Sequence, residues 1–427
     1  GMMRSQIPSF RLPERVLNEE VDYIVDMGVD TIFNTTVDSM KEILAKDYDA
    51  IFVGTGAPRG KDLQMKGQDE AAGHIHIGID WLSSVAFEHT SSIRKRVVVL
   101  GGGNTAMDCC RTARRLGGEE VKVVVRSPFA DMKASPWEKE DAMHEDIPIL
   151  DNHVPLEFVV EDGKFIGVSF DRVDAVYDDD GRRRLVSTGE EPVVIECDDV
   201  LMAIGQENSF PWIERDAGLE FGEWDMPIVD EVTFQSTNKK VFFGGDAAFG
   251  PENVITAVAH GHQAAISIDK FCQGEDVRDR PAPGVNLVSQ KMGVHEWSYD
   301  NQVPDDLRYA VPQADKEVTL NDRMVEVELG FSKETAYAEA ERCLNCDIQT
   351  VFDEVRCIEC DACVDVCPTD CITFTANAEE DVLRQNTGRV MVKDEDVCLH
   401  CGLCAERCPT TAWDMKKFLY TVTKAGQ

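Results

Sequence analysis

The sequence predicts an α/β protein in which one Rossmann-like domain interrupts another, followed by a small α+β domain rich in cysteine. Three observations carry this. A buried-type apolar run, 97–100, flows into the glycine-rich "GGGNTA" of 101–106, then a helical pattern and a second apolar run. Two further strand-then-glycine stretches, "YDAIFVGTGA" (48–57) and "KKVFFGGDAAFGPENVITAVAHGHQAAISI" (239–268), bracket that unit. Eleven of the fifteen cysteines fall between residues 343 and 408.

Composition narrows the functions. The chain has 427 residues, enough for several domains, and its 43% hydrophobic content is ordinary for a globular protein. No apolar run is long enough to span a bilayer. With 79 acidic against 43 basic residues, the formal charge of −36 argues against nucleic acid and against anionic membranes. A solvated acidic surface accounts for it; steering toward a basic partner is compatible. Clustered cysteines in a large acidic chain point to metal in a reducing compartment, hence a cytoplasmic setting. The opening "GMMRSQIPSFRLP", with Gly ahead of Met, suggests a tag scar or a fragment, and carries no secretory pattern.

The elements follow in order. In "RLPERVLNEEVDYIVDMG", Val16, Leu17, Val21, Ile24 and Val25 recur at helical spacing, and "TIFNTTV" (31–37) then reads as a strand. Residues 48–57 read as a strand ending in a glycine turn. The unit from 97 onward has the pattern of a dinucleotide fold: strand 97–100, Gly101-x-Gly103-x-x-Ala106, helix to about residue 116, strand 121–125. Gly101 permits the tight turn. Gly103 lets backbone N–H groups approach a pyrophosphate at the positive helix end, and Ala106 lets helix and sheet pack closely. The second strand runs into Arg126 where an acidic residue would bind the ribose 2′-hydroxyl of NAD. Arginine there suits the 2′-phosphate of NADP, which favours NADP(H); a solvated strand-end arginine is the bland alternative. "KFIGVSFDRVDAVYDDDGRRRLV" (164–186) reads as two strands joined by an Asp-Gly turn, with Asp178 to Asp180 solvating it. In 239–268, Gly245-Asp246 after a strand suits a ribityl hydroxyl or flavin phosphate. The helix start at Val254, Ile255, Thr256 and Ala257 offers its dipole to a reduced flavin. Residues 276–330 are rich in Pro, Asp and Asn, lack periodicity, and read as a connector.

The cysteine-rich end repeats one spacing twice: Cys357-x2-Cys360-x2-Cys363-x3-Cys367-Pro and Cys398-x2-Cys401-x2-Cys404-x3-Cys408-Pro. This doubled spacing is the bacterial-type ferredoxin signature for two [4Fe-4S] clusters. Three thiolates in a tight loop hold one cubane, and the fourth, expected to open a short helix pointing away, holds the other. One cluster is therefore assigned Cys357, Cys360, Cys363 and Cys408, the other Cys398, Cys401, Cys404 and Cys367. Structural zinc would show pairs of Cys-x2-Cys, and a disulfide scaffold would not repeat this spacing. "CITF" and "TAW" after the two prolines read as strands. Cys343 and Cys346 lack two ligands for a third cluster, which would have to come from outside the chain. Cys371 reads as a buried small apolar residue, and Cys109 and Cys110 as packing residues. Cys197 and Cys272 carry no signal, nor do the scattered histidines.

"IPSFRLP", "YDAIFVGTGA", "VVVLGGGNTAMD", "DDVLMAIGQ", "FFGGDAAFGPENVITAVAHG" and "EAERCLNC" together resemble the small (beta) subunit of glutamate synthase and its flavoprotein relatives over residues 1–275. With the two-cluster tail, the chain looks similar to flavin/ferredoxin fusions that accompany 2-oxoacid:ferredoxin oxidoreductases. The resemblance implies an FAD domain split by an NAD(P) domain: 1–92 and 206–275 for FAD, 93–205 for NAD(P), then the connector 276–330 and a ferredoxin-like domain, 331–427. It implies that Gly101, Gly103, Asn104, Thr105 and Ala106 hold the nicotinamide dinucleotide with Arg126 near its 2′-phosphate. Gly245, Asp246 and 254–257 would hold FAD, and Ile7 and Pro8 would approach the flavin ring. The chain departs from the family at Ser127, where relatives carry a second arginine. The family's first strand and flavin GxGxxG loop would precede Gly1, so the chain is expected to be truncated at its N-terminus.

The expected function is an oxidoreductase subunit moving electrons between NAD(P)H and a ferredoxin-type or partner-subunit acceptor, through FAD and two [4Fe-4S] clusters. No nucleophile or acid–base pair is required, so no catalytic side chain is expected. No Cys-x2-Cys lies in the nucleotide domains, which argues against disulfide reduction. The alternatives are a flavin-free iron–sulfur relay subunit, favoured by the missing flavin loop, and a true glutamate synthase small subunit, disfavoured by the two-cluster tail.

Overall fold

A computed structural model describes residues 1–177, 183–280, 285–289, 308–340, 348–376 and 389–420. The chain divides into two compact units: residues 1–280 with 313–329, and residues 281–312 with 330–427.

In the first unit we label β1 (Ile51–Val53), β2 (Ile75–Ile77), α1 (Gly78–Ala86), β3 (Arg96–Leu100), α2 (Asn104–Arg115), β4 (Glu120–Val124), α3 (Pro136–His144), β5 (Ile149–Leu150), β6 (His153–Glu161), β7 (Lys164–Tyr177), β8 (Arg183–Ser187), β9 (Val193–Glu196), β10 (Asp199–Met202), β11 (Val241–Phe243) and α4 (Val254–Gln273). Five strands make one parallel sheet in the order β2-β10-β3-β4-β5. Its strands are apolar on both faces because both faces are covered. Val97 and Val99 of β3 pack with Trp81 and Leu82 of α1 and Met107, Cys110 and Ala113 of α2. Val98 and Leu100 point the other way, onto Phe158 of β6, Val168 and Phe170 of β7 and Ile195 of β9. The second face is roofed by an antiparallel sheet, β9-β7-β6 with β8 also on β7.

The expected pair of strands in 164–186 is present, in register from Val173↔Ser187 to Tyr177↔Arg183, while the turn at 178–182 lies outside the described residues. Because β2 joins β10, the parallel sheet reaches back to Ile75, upstream of the boundary expected at residue 93. A separate two-stranded parallel sheet pairs β1 with β11, from Ile51↔Val241 to Val53↔Phe243. Its core adds Met40, Phe210, Ile213 and Leu219.

One expectation in this unit is corrected. Residues 31–37 form no strand, and Ile32 and Phe33 are 78% and 77% exposed. A strand needs a neighbouring strand to pair its backbone groups, and none among the described residues pairs with this segment. The helix near the N-terminus forms at Glu14–Val25, but it buries only Leu17 of the five residues that defined its apolar face.

The stretch read as a connector has structure of its own. A helix at Lys316–Asn321, capped by the Asp315 carboxylate, sits on the first unit through Lys316 Nζ to Asp146 Oδ2 at 2.5 Å, and Val327 N–H donates to the Phe10 carbonyl at 3.0 Å. These pieces are too short to show periodicity, which hid them in the sequence.

In the second unit we label β12 (Val285–Ser289), β13 (Ile348–Phe352), α5 (Ala362–Val366), β14 (Ile372–Ala376), β15 (Arg389–Lys393), α6 (Leu403–Arg407) and β16 (Trp413–Tyr420). β16 is flanked antiparallel by β12 and β13, and β14 pairs with β15. The core is small and rich in thiol: Cys363, Cys371, Ile372, Cys404, Ala405, Trp413 and Met415. Cys343 and Cys346 lie outside the described residues.

Candidate functional site

The glycine loop leaves β3 at Gly101, whose φ is +141°. A Cβ there would lie 2.1 Å from the Ala203 carbonyl oxygen, so glycine is required by the close approach of the chain leaving β10. Gly102 rests against Val125 and Met132. Gly103 is different: a Cβ there meets nothing within 4 Å, so its outer side is open. It caps α2 without a side-chain acceptor. Among the described residues, the N–H groups of Gly103, Asn104 and Thr105 have no acceptor. Three donors at a helix N-terminus make an anion seat. Asn104 is latched sideways, its Oδ1 accepting the Ser135 N–H at 2.9 Å. Ala106 is fully buried against the sheet.

Arg126 is exposed just past β4 and has no ion-pair partner among the described residues. It follows Val125, which touches Gly102. The sequence reading missed a second cation. Lys133 is exposed, likewise unpaired among the described residues, and flanked by Met132 and Ala134; the first packs on Gly102 and the second donates its N–H to the Gly102 carbonyl at 2.9 Å. Its position seven residues beyond Arg126 follows no strand-end pattern that could have flagged it.

On the β1/β11 side, Gly245 takes φ +59° and packs on Ala257, 3.3 Å from the position of its Cβ. This brings Gly245, Asp246 and the start of α4 together. The Asp246 carboxylate accepts the Glu252 N–H at 3.1 Å through Oδ1. Partial burial pushes its carboxyl up from the usual range, more than that hydrogen bond lowers it. Asn253 caps α4, accepting from Thr256 N–H at 2.8 Å, while Val254 and Ile255 are exposed. Ile7 and Pro8 instead line a recess of about 310 Å³ with Leu82, Val85 and Thr112, and that recess contains none of Gly245, Asp246 or 254–257. The neighbouring Phe10 and Arg11 explain this placement. Phe10 lies under the guanidinium groups of Arg111 and Arg115, and Arg11 pairs with Asp108 at 2.6 Å and with Glu138.

A third segment, given no site role from the sequence, reaches both helix starts. Gln206 Nε2 donates to Thr105 Oγ1 at 3.4 Å, and Asn208 Nδ2 donates to the Ala247 carbonyl at 3.2 Å. Gln206 closes the "DDVLMAIGQ" stretch, but neither its contact nor that of Asn208 leaves a spacing signal in the sequence.

In the second unit two recesses of similar size, about 290 and 320 Å³, are lined by thiols. Cys357, Cys360, Cys363 and Cys408 surround the first. Cys367, Cys398, Cys401 and Cys404 surround the second, joined by Cys371. The two loops repeat in backbone detail. Glu359 and His400 share a left-handed φ, and their N–H groups donate to the Sγ atoms of Cys357 and Cys398 at 3.3 and 3.4 Å. The short helices lie before the fourth cysteines, not after them: α5 ends at Val366 and α6 at Arg407. Proline at the next position disfavours the helical region for Cys367 and Cys408, which are extended at ψ 118° and 115°. Burial holds the Cys404 thiol up near 12. All thirteen described cysteines are free thiols. Soft thiolate donors in fours, with backbone N–H groups aimed at sulfur, fit iron–sulfur clusters.

Comparison with known proteins agrees in both units. Residues 8–261 match the family described as pyridine nucleotide-disulphide oxidoreductase, and residues 356–412 match the 4Fe-4S dicluster domain. The chain is 35% identical over 354 residues to the NADP(+)-dependent formate dehydrogenase subunit beta of Moorella thermoacetica, covering 81% of this chain and 49% of that one. It is 32% identical over 289 residues to the glutamate synthase [NADPH] small chain of Escherichia coli, covering 63% of this chain and 60% of that one. It thus spans about half the length of the first of these relatives and three-fifths of the second. Mycobacterium tuberculosis FprA, solved in complex with NADPH, shares the fold at TM-score 0.53 and 17% identity, covering 66% of this chain and 78% of that one.

Proposed function

The chain belongs to the pyridine nucleotide-disulphide oxidoreductase family, and from that premise we propose that it exchanges electrons between NAD(P)H and a partner subunit or ferredoxin-type protein, by way of FAD and two [4Fe-4S] clusters. The observation that carries this reading is the segment 206–208, which ties the anion seat at α2 to the turn after Asp246, on a chain that also holds two four-cysteine recesses. Bound nicotinamide and flavin supply hydride transfer and the clusters supply single-electron steps. The chain's own residues bind and orient. Gly103, Asn104 and Thr105 would hold a pyrophosphate by their N–H groups. Arg126 and Lys133 would meet a 2′-phosphate, Lys133 supplying the cation that Ser127 lacks. Asp246 would accept from a ribityl hydroxyl, with Gly245 and the α4 N-terminus (Val254–Ala257) beside it. The two recesses would each hold one cluster, with the ligand sets Cys357, Cys360, Cys363, Cys408 and Cys398, Cys401, Cys404, Cys367.

Two further points support the reading. Cys109, Cys110 and Cys197 are buried without a disulfide partner, and burial raises all three thiols, so the first unit offers no reactive dithiol among its described residues. Both relatives named above are subunits of larger enzymes, and both names carry an NADP cofactor. A working partner and an NADP preference are proposed here on that basis together with the two free cations, as is a cytoplasmic setting. No helix among the described residues is long and apolar enough to cross a membrane.

The test is anaerobic titration of the full chain, reconstituted with FAD, iron and sulfide. NADPH is expected to bleach the cluster absorbance, and Arg126→Ala or Lys133→Ala to weaken NADPH relative to NADH by roughly tenfold, about 1.4 kcal/mol. Clusters that bleach with dithionite but stay oxidised under both NADPH and NADH would overturn the proposal.

A further inference from the structure

The two cysteine loops end in near-identical stretches, Cys367-Pro-Thr-Asp-Cys371 and Cys408-Pro-Thr-Thr-Ala412. Their backbones match as well. Asp370 and Thr411 are both left-handed, at φ 53° and 59°, and Thr369 and Thr410 set their hydroxyls 3.7 Å from the preceding cysteine sulfur. Residues 371 and 412 are therefore twins, each lining the recess at the end of its own loop's partner cluster. One twin is a thiol and the other a methyl group.

The thiol is where a ligand would be. Cys371 is 5% exposed, and its Sγ lies 3.4 Å from the Sγ of Cys367. With metal–sulfur bonds of about 2.3 Å, two thiolates on one tetrahedral metal ion sit ~3.8 Å apart. The pair thus addresses one corner of a cluster, whereas Ala412 leaves Cys408 without an understudy. We propose that Cys371 is a stand-in ligand: the iron held by Cys367 in the second recess can be held by Cys371 instead, one thiolate at a time. The proposal rests on the reading that these recesses hold [4Fe-4S] clusters. In the exchange the Fe–S bond to Cys367 breaks and one to Cys371 forms. The proton of the Cys371 thiol passes to the released Cys367 sulfur, and no electron is gained or lost. The second cluster would then survive loss of its Cys367 bond, and the first would not survive loss of its Cys408 bond.

The experiment is iron and acid-labile sulfide analysis, with electron paramagnetic resonance, on the full chain reconstituted anaerobically. Wild type and Cys371→Ala are expected to hold about eight irons per chain, as two cubanes require. Cys367→Ala is expected to keep the same content, and Cys367→Ala with Cys371→Ala to lose one cluster or convert it to a three-iron form. Cys408→Ala is expected to lose iron in the same way. Adding Ala412→Cys to Cys408→Ala is expected to restore it, which tests the idea even if Cys367→Ala does not fold. Iron loss in Cys367→Ala equal to that in Cys408→Ala, or no recovery with Ala412→Cys, would overturn the stand-in role. A wild type that takes up no cluster would instead overturn the reading beneath it.

Discussion

Glycines 101 and 103 sit two residues apart and are required for different reasons. At Gly101 the reason is the fold, since an added Cβ would collide with the backbone of Ala203. Gly101→Ala is expected to lower stability by about 2–4 kcal/mol, read by urea unfolding. At Gly103 the space is open, so Gly103→Ala is expected to cost the fold about 1 kcal/mol or less while weakening NADPH binding roughly tenfold or more, read by calorimetric titration. The spacing of the motif was legible in the sequence. The contact behind Gly101 was not, because Ala203 is brought there only when β10 pairs beside β3. The cysteines show the same division. Spacing alone gave the grouping of eight thiols that the recesses display, but the 3.4 Å approach of Cys371 to Cys367 depends on a left-handed residue at 370 that no spacing reveals.

Helix α2 buries Asp108, Arg111 and Arg115 on the side facing Phe10 and α3. Such charges persist in a core only when paired. Glu145, just past α3, does this with both guanidinium groups, at 2.7 Å to Arg115 and 2.9 Å to Arg111. Burial raises the Glu145 carboxyl, but bonds from Arg115 and the charge of Arg111 outweigh it, and the net shift is down. For Asp108 and Glu138 burial wins over Arg11, and the shift is up. The signs therefore oppose. Stability tied to Glu145 is present above the ordinary carboxylate range and lost as pH falls through its lowered value. Stability tied to the other two is present below that range and lost as pH rises through theirs. Glu145→Gln leaves buried guanidinium groups short of charge and is expected to cost about 3–5 kcal/mol at neutral pH. In urea unfolding, that gap should narrow as pH falls below about 4. None of this was readable beforehand. A helix with charges on its inner face contradicts the periodic pattern, while segment 31–37 satisfied a strand pattern without forming one. Both failures share a cause: partners distant in sequence decide whether a local pattern is used.

The two units should respond separately to metal. The first has extensive apolar layers on both faces of its parallel sheet, and the second a core of which three of seven residues are cysteine. A core so small usually needs a metal to fold. Removing iron with a chelator is expected to abolish one thermal transition and leave the other, together with NADPH binding, in place. Differential scanning calorimetry before and after chelation checks this. At this scale the order of domains was legible from motif order alone. The return of residues 313–329 to the first unit was not, because a six-residue helix and a few extended residues leave no periodic trace. That return means the polypeptide crosses between units three times, near residues 280, 312 and 329. A single proteolytic nick at any one crossing severs the polypeptide, yet each fragment pair then still has a segment of one unit covalently attached to the other. Transplanting the cysteine-bearing unit onto another flavoprotein would take three splice junctions instead of one, which makes it a threaded insertion rather than a detachable tail.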